Sequence, residues 1–287
     1  MEGEILRGIK KNKKYKTISD EIVEKEIAEF LRKNPKIKEK IKNKKLKKAE
    51  IKRMVKEIRK KLHRIYSSYQ TKKKNKRYIF LDELQHAVNK NENKKIIEAT
   101  KKILSTTIST KERSEDYPLI YKKIFEITGK PETIVDIGAG LNPVSYPFMN
   151  LDAVTYYAYD IDNADIQFLN DYFRVMKQKG LNGKAELLDI RNVEEMSHLP
   201  QADVIFMFKV IDLIDAKKKK VSGQLIQYFF ENKKTTHIIA SFATKTLTRK
   251  DMNLPRRIGF EKMLKHLNLT FQSFSIDNEI FYVISQK

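Results

Sequence analysis

Residues 134–162 constrain the fold more than any other stretch of the chain. An apolar pair, Ile134-Val135, leads to Asp136 and then to Gly138-Ala139-Gly140, and a second apolar run, Tyr156-Tyr157-Ala158-Tyr159, ends in Asp160. A strand, a glycine turn and a second strand closing on a carboxylate form the first half of a nucleotide-type cofactor site. The glycines let the backbone approach a ligand closely, since no Cβ intervenes. An ionised Asp accepts hydrogen bonds only, which suits the two hydroxyl donors of a ribose. Dinucleotide sites favour a third glycine two residues further on, but that position is Pro143, and no basic phosphate grip accompanies it. These absences argue against a pyrophosphate and favour S-adenosylmethionine (SAM), which has an adenosine and no phosphates.

Charge is unevenly distributed. Of the net +22, residues 1–110 contribute 34 Lys+Arg against 14 Asp+Glu, whereas residues 111–287 hold 25 against 23. A lysine-rich proteome would make every surface basic, so the near-neutral C-terminal region argues for a localised polyanion-binding region before it. An anionic membrane is the weaker candidate, because the basic helices alternate with acids and lack exposed aromatic clusters. The chain has no Cys, which excludes disulfides and cysteine zinc sites and favours an intracellular, cytoplasmic setting. No apolar run reaches the roughly 20 residues of a bilayer span, and the N-terminus lacks a signal-type apolar stretch.

The periodicities divide the chain. Residues 1–16 read as frayed and basic. Thr17 and Asp20 resemble a capping box ahead of a helix carrying Val23, Ile27, Phe30 and Leu31, which Pro35 stops. From about 49 to 69 a second apolar stripe runs from Ile51 to Tyr69, and the opposite face carries Lys52, Arg53, Lys56, Arg59, Lys60 and Arg64. With His63 and the basic loop 72–77, including Lys72, Lys73 and Lys74, these are the expected RNA contacts. Helical spacing continues through Leu81, Leu84 and Val88 and through Ile96, Ile97, Ile103 and Leu104. Residues 1–106 therefore read as an all-helical basic domain. Beyond it, a helix carrying Tyr117, Ile120, Tyr121 and Ile124 ends at Gly129. Strands are expected near 133–137, 155–159, 184–188, 203–207, 236–241, 269–275 and 279–285, with helices near 144–150, 163–178, 221–231 and 256–267 between them. Alternating strands and helices imply a mostly parallel sheet with helices on both faces. The closing hairpin, joined by Asp277-Asn278, makes residues 107–287 an α/β, Rossmann-like, seven-stranded domain of the SAM-dependent methyltransferase type.

Ligands of such sheets lie outside the carboxyl ends of the strands. There stand Asp136, Gly138, Gly140, Asp160, Asp162, Asp189, Lys209 and Ser241. Asp189 is placed to take an adenine amino group, with Ile190 against the ring, or alternatively to cap a helix. Asp162 reads as the cap of the helix starting near Asn163. Lys209, at the end of the fourth strand where an acceptor pocket should open, is the candidate catalytic residue, or else a snorkelling lysine on the sheet rim. Arg113 is placed to hold the carboxylate of the cofactor's methionine end, or to form a surface pair with an Asp. Tyr146 and Phe148 either stack on an extruded base or pack beneath the loop. No metal site is expected.

Together these segments resemble the aminoglycoside-resistance 16S rRNA (guanine-N7) methyltransferases of the Arm/Rmt type. Leu62-His63-Arg64-Ile65-Tyr66-Ser67-Ser68-Tyr69 is similar to their helical Leu-His-x-Ile/Val-x-x-x-Tyr element, and Ser109-Thr110-Lys111-Glu112-Arg113 to Ser-Thr-x-Glu-Arg. Asp136-Ile137-Gly138-Ala139-Gly140-Leu141-Asn142-Pro143 resembles Asp-x-Gly-Cys-Gly-x-Asn-Pro, Pro147-Phe148-Met149 resembles Pro-Trp-Met, and Tyr159-Asp160-Ile161-Asp162 is similar to Tyr-Asp-Ile-Asp. Ser241-Phe242 with Lys245-Thr246-Leu247 resembles Ser-Phe-Pro-x-Lys-Ser-Leu. The resemblance covers roughly residues 60–285 and implies SAM contacts from Arg113, Gly138 and Asp160, flanked by Asp136, Ala139, Gly140 and Ile161. It also implies a helical N-terminal domain that docks on the 30S ribosomal subunit and a link to antibiotic resistance. The chain departs from the pattern at Ala139, Phe148 and Ala243, and at Ile211-Asp212, where the family has Leu-Pro after the lysine. These departures lie near the expected acceptor pocket and put the target nucleotide in doubt.

The expected reaction is an in-line displacement in which guanine N7 of 16S rRNA attacks the methyl of the sulfonium. That nitrogen carries a free lone pair and needs no general base, so collinear placement carries the catalysis. A monomer is expected. The competing readings are a nucleic-acid-binding protein whose SAM fold is a non-catalytic relic, and a methyltransferase acting on another RNA base, a tRNA or a ribosomal protein.

Overall fold

The computed structural model describes residues 2–65, 72–190, 193–215, 221–245 and 256–287. Two compact units form: Met1–Gln70 with Ile161–Ala164, and Thr71–Asp160 with Asp165–Lys287.

The first unit is helical: α1 (Glu2–Lys10), α2 (Asp20–Lys33), α3 (Pro35–Lys42) and α4 (Lys48–Ile65). The expectation of a frayed N-terminus fails here. Ile5 and Ile9, spaced by one helical turn, are fully buried with Val23, Ile27, Met54, Ile58 and Leu62. The capping-box expectation also fails. Ser19, not Thr17, is the N-cap of α2 and makes no side-chain cap bond. The Thr17 hydroxyl instead donates to Asp162 Oδ2 (2.7 Å), and the Ser19 N–H donates to Ile161 O (3.2 Å). Pro35 stops α2 as expected, and it also starts α3, whose first turn tolerates its missing N–H.

The second unit opens with a 3-10 helix, Lys72–Lys76, then α5 (Arg77–Asn89), α6 (Asn93–Leu104), α7 (Ile108–Arg113) and α8 (Tyr117–Thr128). Its sheet contains β1 (Thr133–Ile137), β2 (Val154–Asp160), β3 (Leu181–Leu187), β4 (Ala202–Phe208), β5 (Thr235–Ala243), β6 (Leu269–Ile276) and β7 (Glu279–Gln286). The order is β3-β2-β1-β4-β5-β7-β6, parallel except for β7, which runs antiparallel to both β5 and β6. Between strands lie the 3-10 helix Asn142–Phe148 and α9 (Asn163–Met176), α10 (Ile211–Ile214), α11 (Val221–Glu231) and α12 (Ile258–His266). The short α7 and α10, like α3, have too few turns to show a periodicity.

Two apolar layers cover the sheet. One joins Val135, Ile205, Ile238 and Tyr282 to Leu225, Phe229 and Leu264 of α11 and α12. The other joins Ile134, Tyr156, Phe206 and Phe281 to Tyr117, Tyr121, Phe168 and Tyr172, and it also takes Leu81, Leu84, Ile96 and Ile103 of α5 and α6. That shared core is why compactness divides the chain at 70/71, whereas the change in sequence pattern falls at 106. The segment expected as a basic loop, 72–77, is a 3-10 helix running into α5, and Arg77 is buried. Its guanidinium bonds Asp165, Thr106 Oγ1 (2.8 Å) and Thr107 Oγ1 (3.1 Å). Among the described residues no helix is long and apolar enough to cross a membrane.

Candidate cofactor and acceptor site

The site begins at the end of β1. Both Gly138 (φ 69°) and Gly140 (φ 51°) take left-handed backbone conformations that other residues rarely adopt. A Cβ on Gly138 would lie 2.8 Å from Val210 Cγ2, so side-chain size is excluded there as well. Gly138 is itself solvent-exposed, leaving one face of the loop open. The loop is fastened to β2 at three points. The amides of Gly138 and Ala139 donate to Tyr159 O (2.9 and 3.0 Å), and that of Gly140 donates to Asp160 Oδ2 (2.8 Å). Asp160 is half-buried at the strand end, with its carboxylate on the loop and not in the core.

Behind the loop runs a buried polar chain. Asp136, 1% exposed, accepts from Asn142 Nδ2 (2.9 Å) and Tyr156 Oη (2.7 Å), and Asn142 Oδ1 accepts from Tyr117 Oη (3.0 Å). Burial pushes the Asp136 carboxyl up to about 6, against the lowering effect of its two donors. Burial likewise pushes the Tyr117 hydroxyl up to about 12. Asp136, expected among the cofactor contacts, thus faces inward and fixes the helical turn that follows the glycines.

A second cluster closes the carboxyl ends of β4 and β5. Arg113 donates through Nε and Nη2 to Glu279 Oε2 and Oε1 (both 2.9 Å), a bidentate pair 4% and 2% exposed. Its guanidinium lies 5.0 Å from the centroid of the Phe208 ring. The pair is a buried Arg–Glu pair and not the surface Arg–Asp pair that was the alternative expected from sequence. Lys209, in a left-handed conformation (φ 55°), places Nζ 2.9 Å from Glu112 Oε2 and 3.1 Å from Glu279 Oε2. Its amide donates to Ser241 O (3.1 Å) and Oγ (3.0 Å), and the Ser241 hydroxyl also donates to Glu279. Burial raises the Glu279 carboxyl, but Arg113 and Lys209 together outweigh it and hold the group below the usual range. Lys209 thus joins the two carboxylates Glu112 and Glu279 at the end of β4.

Other expected positions sort as follows. Asp162 caps α9, accepting from the Ala164 N–H (2.8 Å). Asp189 and Ile190 are buried after β3. Tyr146 is buried and donates to Leu151 O (3.2 Å) and Lys179 O (2.7 Å), while the half-buried Phe148 stacks on Tyr117, so both pack into the apolar layer on that face of the sheet. Thr246 and Leu247 lie outside the described residues.

On the basic helix α4, Lys52, Arg53, Lys56, Lys60 and His63 are exposed. Arg59 is a correction: it donates to Gly8 O (2.5 Å) and Ile9 O (3.2 Å), covering the last carbonyls of α1. Lys73 is exposed, but Lys74 lies 3.2 Å from Asp165 Oδ1. The side chains of Arg64 and Lys72 lie outside the described residues. Among the described residues no acid–histidine group could hold a metal.

Residues 33–283 match the ribosomal RNA methyltransferase (FmrO) family. The chain belongs to that family. It is 28% identical over 250 residues to a 16S rRNA (guanine(1405)-N(7))-methyltransferase of Proteus mirabilis, covering 82% of this chain and 85% of that one. A protein of the same name from Micromonospora echinospora is 25% identical over 235 residues, covering 81% and 82%. Among solved structures, the 16S rRNA methyltransferase RmtF in complex with S-adenosyl-L-homocysteine superposes with a TM-score of 0.74 at 18% identity, covering 99% of this chain and 98% of that one. The 16S rRNA methylase RmtB gives 0.67 at 20%, with 99% and 98% covered. These likenesses show the fold of this rRNA methyltransferase family member.

Reasoning from sequence missed Glu279, Glu112, Asn142 and Tyr117. Glu279 did leave a signal: it is the one acid in the apolar strand Glu279–Gln286, whose first six residues are all buried.

Proposed function

We propose that this protein transfers a methyl group from SAM to guanine N7 of 16S rRNA. The observation that carries the reading is the open glycine loop fastened to Asp160, in a chain that matches an rRNA methyltransferase family over 33–283. The residues present fit the cofactor. A Cβ on Gly140 would project into open space, Asp160 offers acceptors for ribose hydroxyls, and among the described residues no cationic phosphate grip lines the loop. Asp160 with Gly138, Ala139 and Gly140 would hold the nucleoside, and Asp189 and Ile190 the adenine. Arg113, its plane fixed by Glu279, is the cation assigned to the methionine carboxylate.

SAM supplies an electrophilic methyl on a sulfonium. The protein's own contribution is placement. The chain Tyr117–Asn142–Asp136–Tyr156 holds the loop rigid, and Lys209, with Glu112, Glu279 and Ser241, fixes the rim beside it. Guanine N7 has no proton to remove, so a site of fixed donors without a general base suffices, and alignment of attacker and methyl supplies the rate. The exposed side chains of Lys52, Arg53, Lys56, Lys60, His63 and Lys73 are the rRNA contacts. The RNA-docking role extends over the helical residues 1–106, and the transfer role over 107–287.

Incubation of the protein with tritiated SAM and 30S subunits tests this. Label in 16S rRNA, mapped to a guanine N7, is expected, and Asp160→Ala should abolish SAM binding in calorimetry. Unaltered affinity in that variant, or label nowhere despite SAM binding, rejects the reading in favour of a binding protein without turnover.

A further inference from the structure

Two of the chain's departures from the Arm/Rmt pattern, Asp212 and Ala243, meet at one side chain. Arg257 Nη2 donates to Asp212 Oδ2 (3.0 Å) and to Ala243 O (3.1 Å), and the guanidinium lies 5.0 Å from the centroid of the buried Phe242 ring. The base of this arginine is fixed. Its amide donates to Tyr282 Oη (3.0 Å), and Tyr282 donates to Glu261 (2.9 Å), which also holds Arg256 through two bonds. Its outer partner is different in kind: the Asp212 side chain is 55% exposed, that of Arg257 only 23%. The pair stands over the carboxyl end of β5. Asp212 follows by two residues Val210, the side chain against which Gly138 is closed. Half-exposed Ile258 adds apolar surface next to it.

This geometry has one inner and one outer half. The carbonyl of Ala243 and the ring of Phe242 hold the guanidinium from within, whereas the Asp212 carboxylate, which faces solvent, is an exchangeable anion. A base can present its N7 to a methyl donor only after leaving its stack, a rotation about the nucleotide's own backbone that leaves the flanking phosphate at the mouth of the site. A guanidinium binds phosphate oxygens in the same forked geometry as carboxylate oxygens.

We propose that Arg257 is a positioning residue that grips the backbone phosphate flanking the target guanosine, and that Asp212 holds its place until RNA arrives. The proposal rests on the rRNA methyltransferase reading above. Asp212 competes with the phosphate for one cation, so the two residues have opposite effects on RNA although they are partners in the free protein. The competent, released state of Arg257 is only a fraction of the population, and removing the competitor raises apparent affinity by the inverse of that fraction.

The test measures 30S methylation with tritiated SAM, and 30S binding against salt, for Arg257→Ala, Arg257→Lys and Asp212→Asn. Arg257→Ala should raise KM for 30S about tenfold and reduce the slope of log K against log salt by about 0.7–0.9, one phosphate contact. Arg257→Lys should keep the salt slope and lose some of the affinity, since the charge stays and the fork goes. Asp212→Asn should lower KM by about two- to fivefold. SAM affinity by calorimetry should stay unchanged in all three. Shifts of the same sign in Arg257→Ala and Asp212→Asn would reduce the pair to a structural tie and overturn the proposal. So would a loss in Arg257→Ala with an unaltered salt slope, which would place the contact on the base. Asp212 is exposed and its Asn variant keeps the fold, so the comparison survives even if Arg257→Ala is unstable. Wild-type inactivity on 30S subunits sinks the functional reading and this one together, whereas activity with like-signed variants sinks this one alone.

Discussion

The helical first unit and the carboxyl rim of the sheet use the same charged residue types for opposite purposes. On α4, Arg53 pairs with Glu57 at 3.3 Å with side chains 82% and 50% exposed. Such pairs contribute about 0–1 kcal/mol and are screened by salt. Their role is the potential they leave around the surface: residues 1–70 hold 24 Lys+Arg against 10 Asp+Glu. At the rim, Arg113 and Glu279 are 4% and 2% exposed, and Lys209 and Glu112 complete a cluster with two charges of each sign. A cluster of that kind adds little to the long-range field. It fixes geometry, because each member left unpaired would be a buried charge without compensation. Charge at a surface is thus a statement about partners, and charge in the rim a statement about shape.

Removing one member of the rim cluster should break this contrast most severely. Glu279→Ala leaves Arg113 and Lys209 short of a carboxylate and should cost about 3–5 kcal/mol in urea unfolding. Because the folded Glu279 carboxyl lies below its ordinary 4.5, its contribution is present above that pH and is lost as pH falls through the folded value. Glu279→Gln should lack that acid-side loss. An equal acid sensitivity in both proteins would show that the cluster does not set it.

Asp136 sharpens the comparison with the opposite sign. Its carboxyl is raised to about 6 from 3.8, so the folded state favours the protonated form. Its contribution is greatest below about pH 4 and is lost as pH rises through 6. Asp136→Asn keeps an oxygen for Asn142 and Tyr156 and removes the buried charge. It should stabilise the protein by about 1–3 kcal/mol at pH 7–8, with the advantage vanishing near pH 4. A constant difference across that range would mean that the charge is not what separates the two proteins.

The smallest effect on stability is expected at the basic face. The triple variant Lys52→Ala, Lys56→Ala, Lys60→Ala should change unfolding free energy by no more than about 1 kcal/mol. It should flatten the salt dependence of 30S binding by about 2–3 in slope. An unchanged slope would remove α4 from the RNA surface.

Local pattern carries much of this architecture. The glycine turn, Asp160, the α9 cap at Asp162 and the seven strands all lie where short-range spacing places them, because turn chemistry and alternating burial act over a few residues. Pattern fails where a residue's partner is distant or its element very short. The N-terminal segment 1–16 reads as frayed and basic in sequence, since two isoleucines one helical turn apart give a weak stripe until α4 covers them. Arg59 has the spacing of an exposed cation and is instead committed to carbonyls of α1, fifty residues away. Arg113 has the spacing of a ligand contact, but the Glu279 that fixes its guanidinium plane through Nε and Nη2 lies 166 residues away.

The amino-acid order alone determined that this chain would alternate strands and helices, turn on glycines after its first strand, and concentrate positive charge in its first third. Those properties follow from backbone freedom, hydrophobic period and composition, all of which are local or additive. Only the tertiary structure decided which charges became architecture. Glu279 reaches Arg113 across 166 residues because β7 inserts antiparallel beside β5. Arg257 meets Asp212 across 45 because both lie at the carboxyl edge of the sheet. Such pairings depend on assembly of the whole sheet, and a one-dimensional pattern carries no record of it.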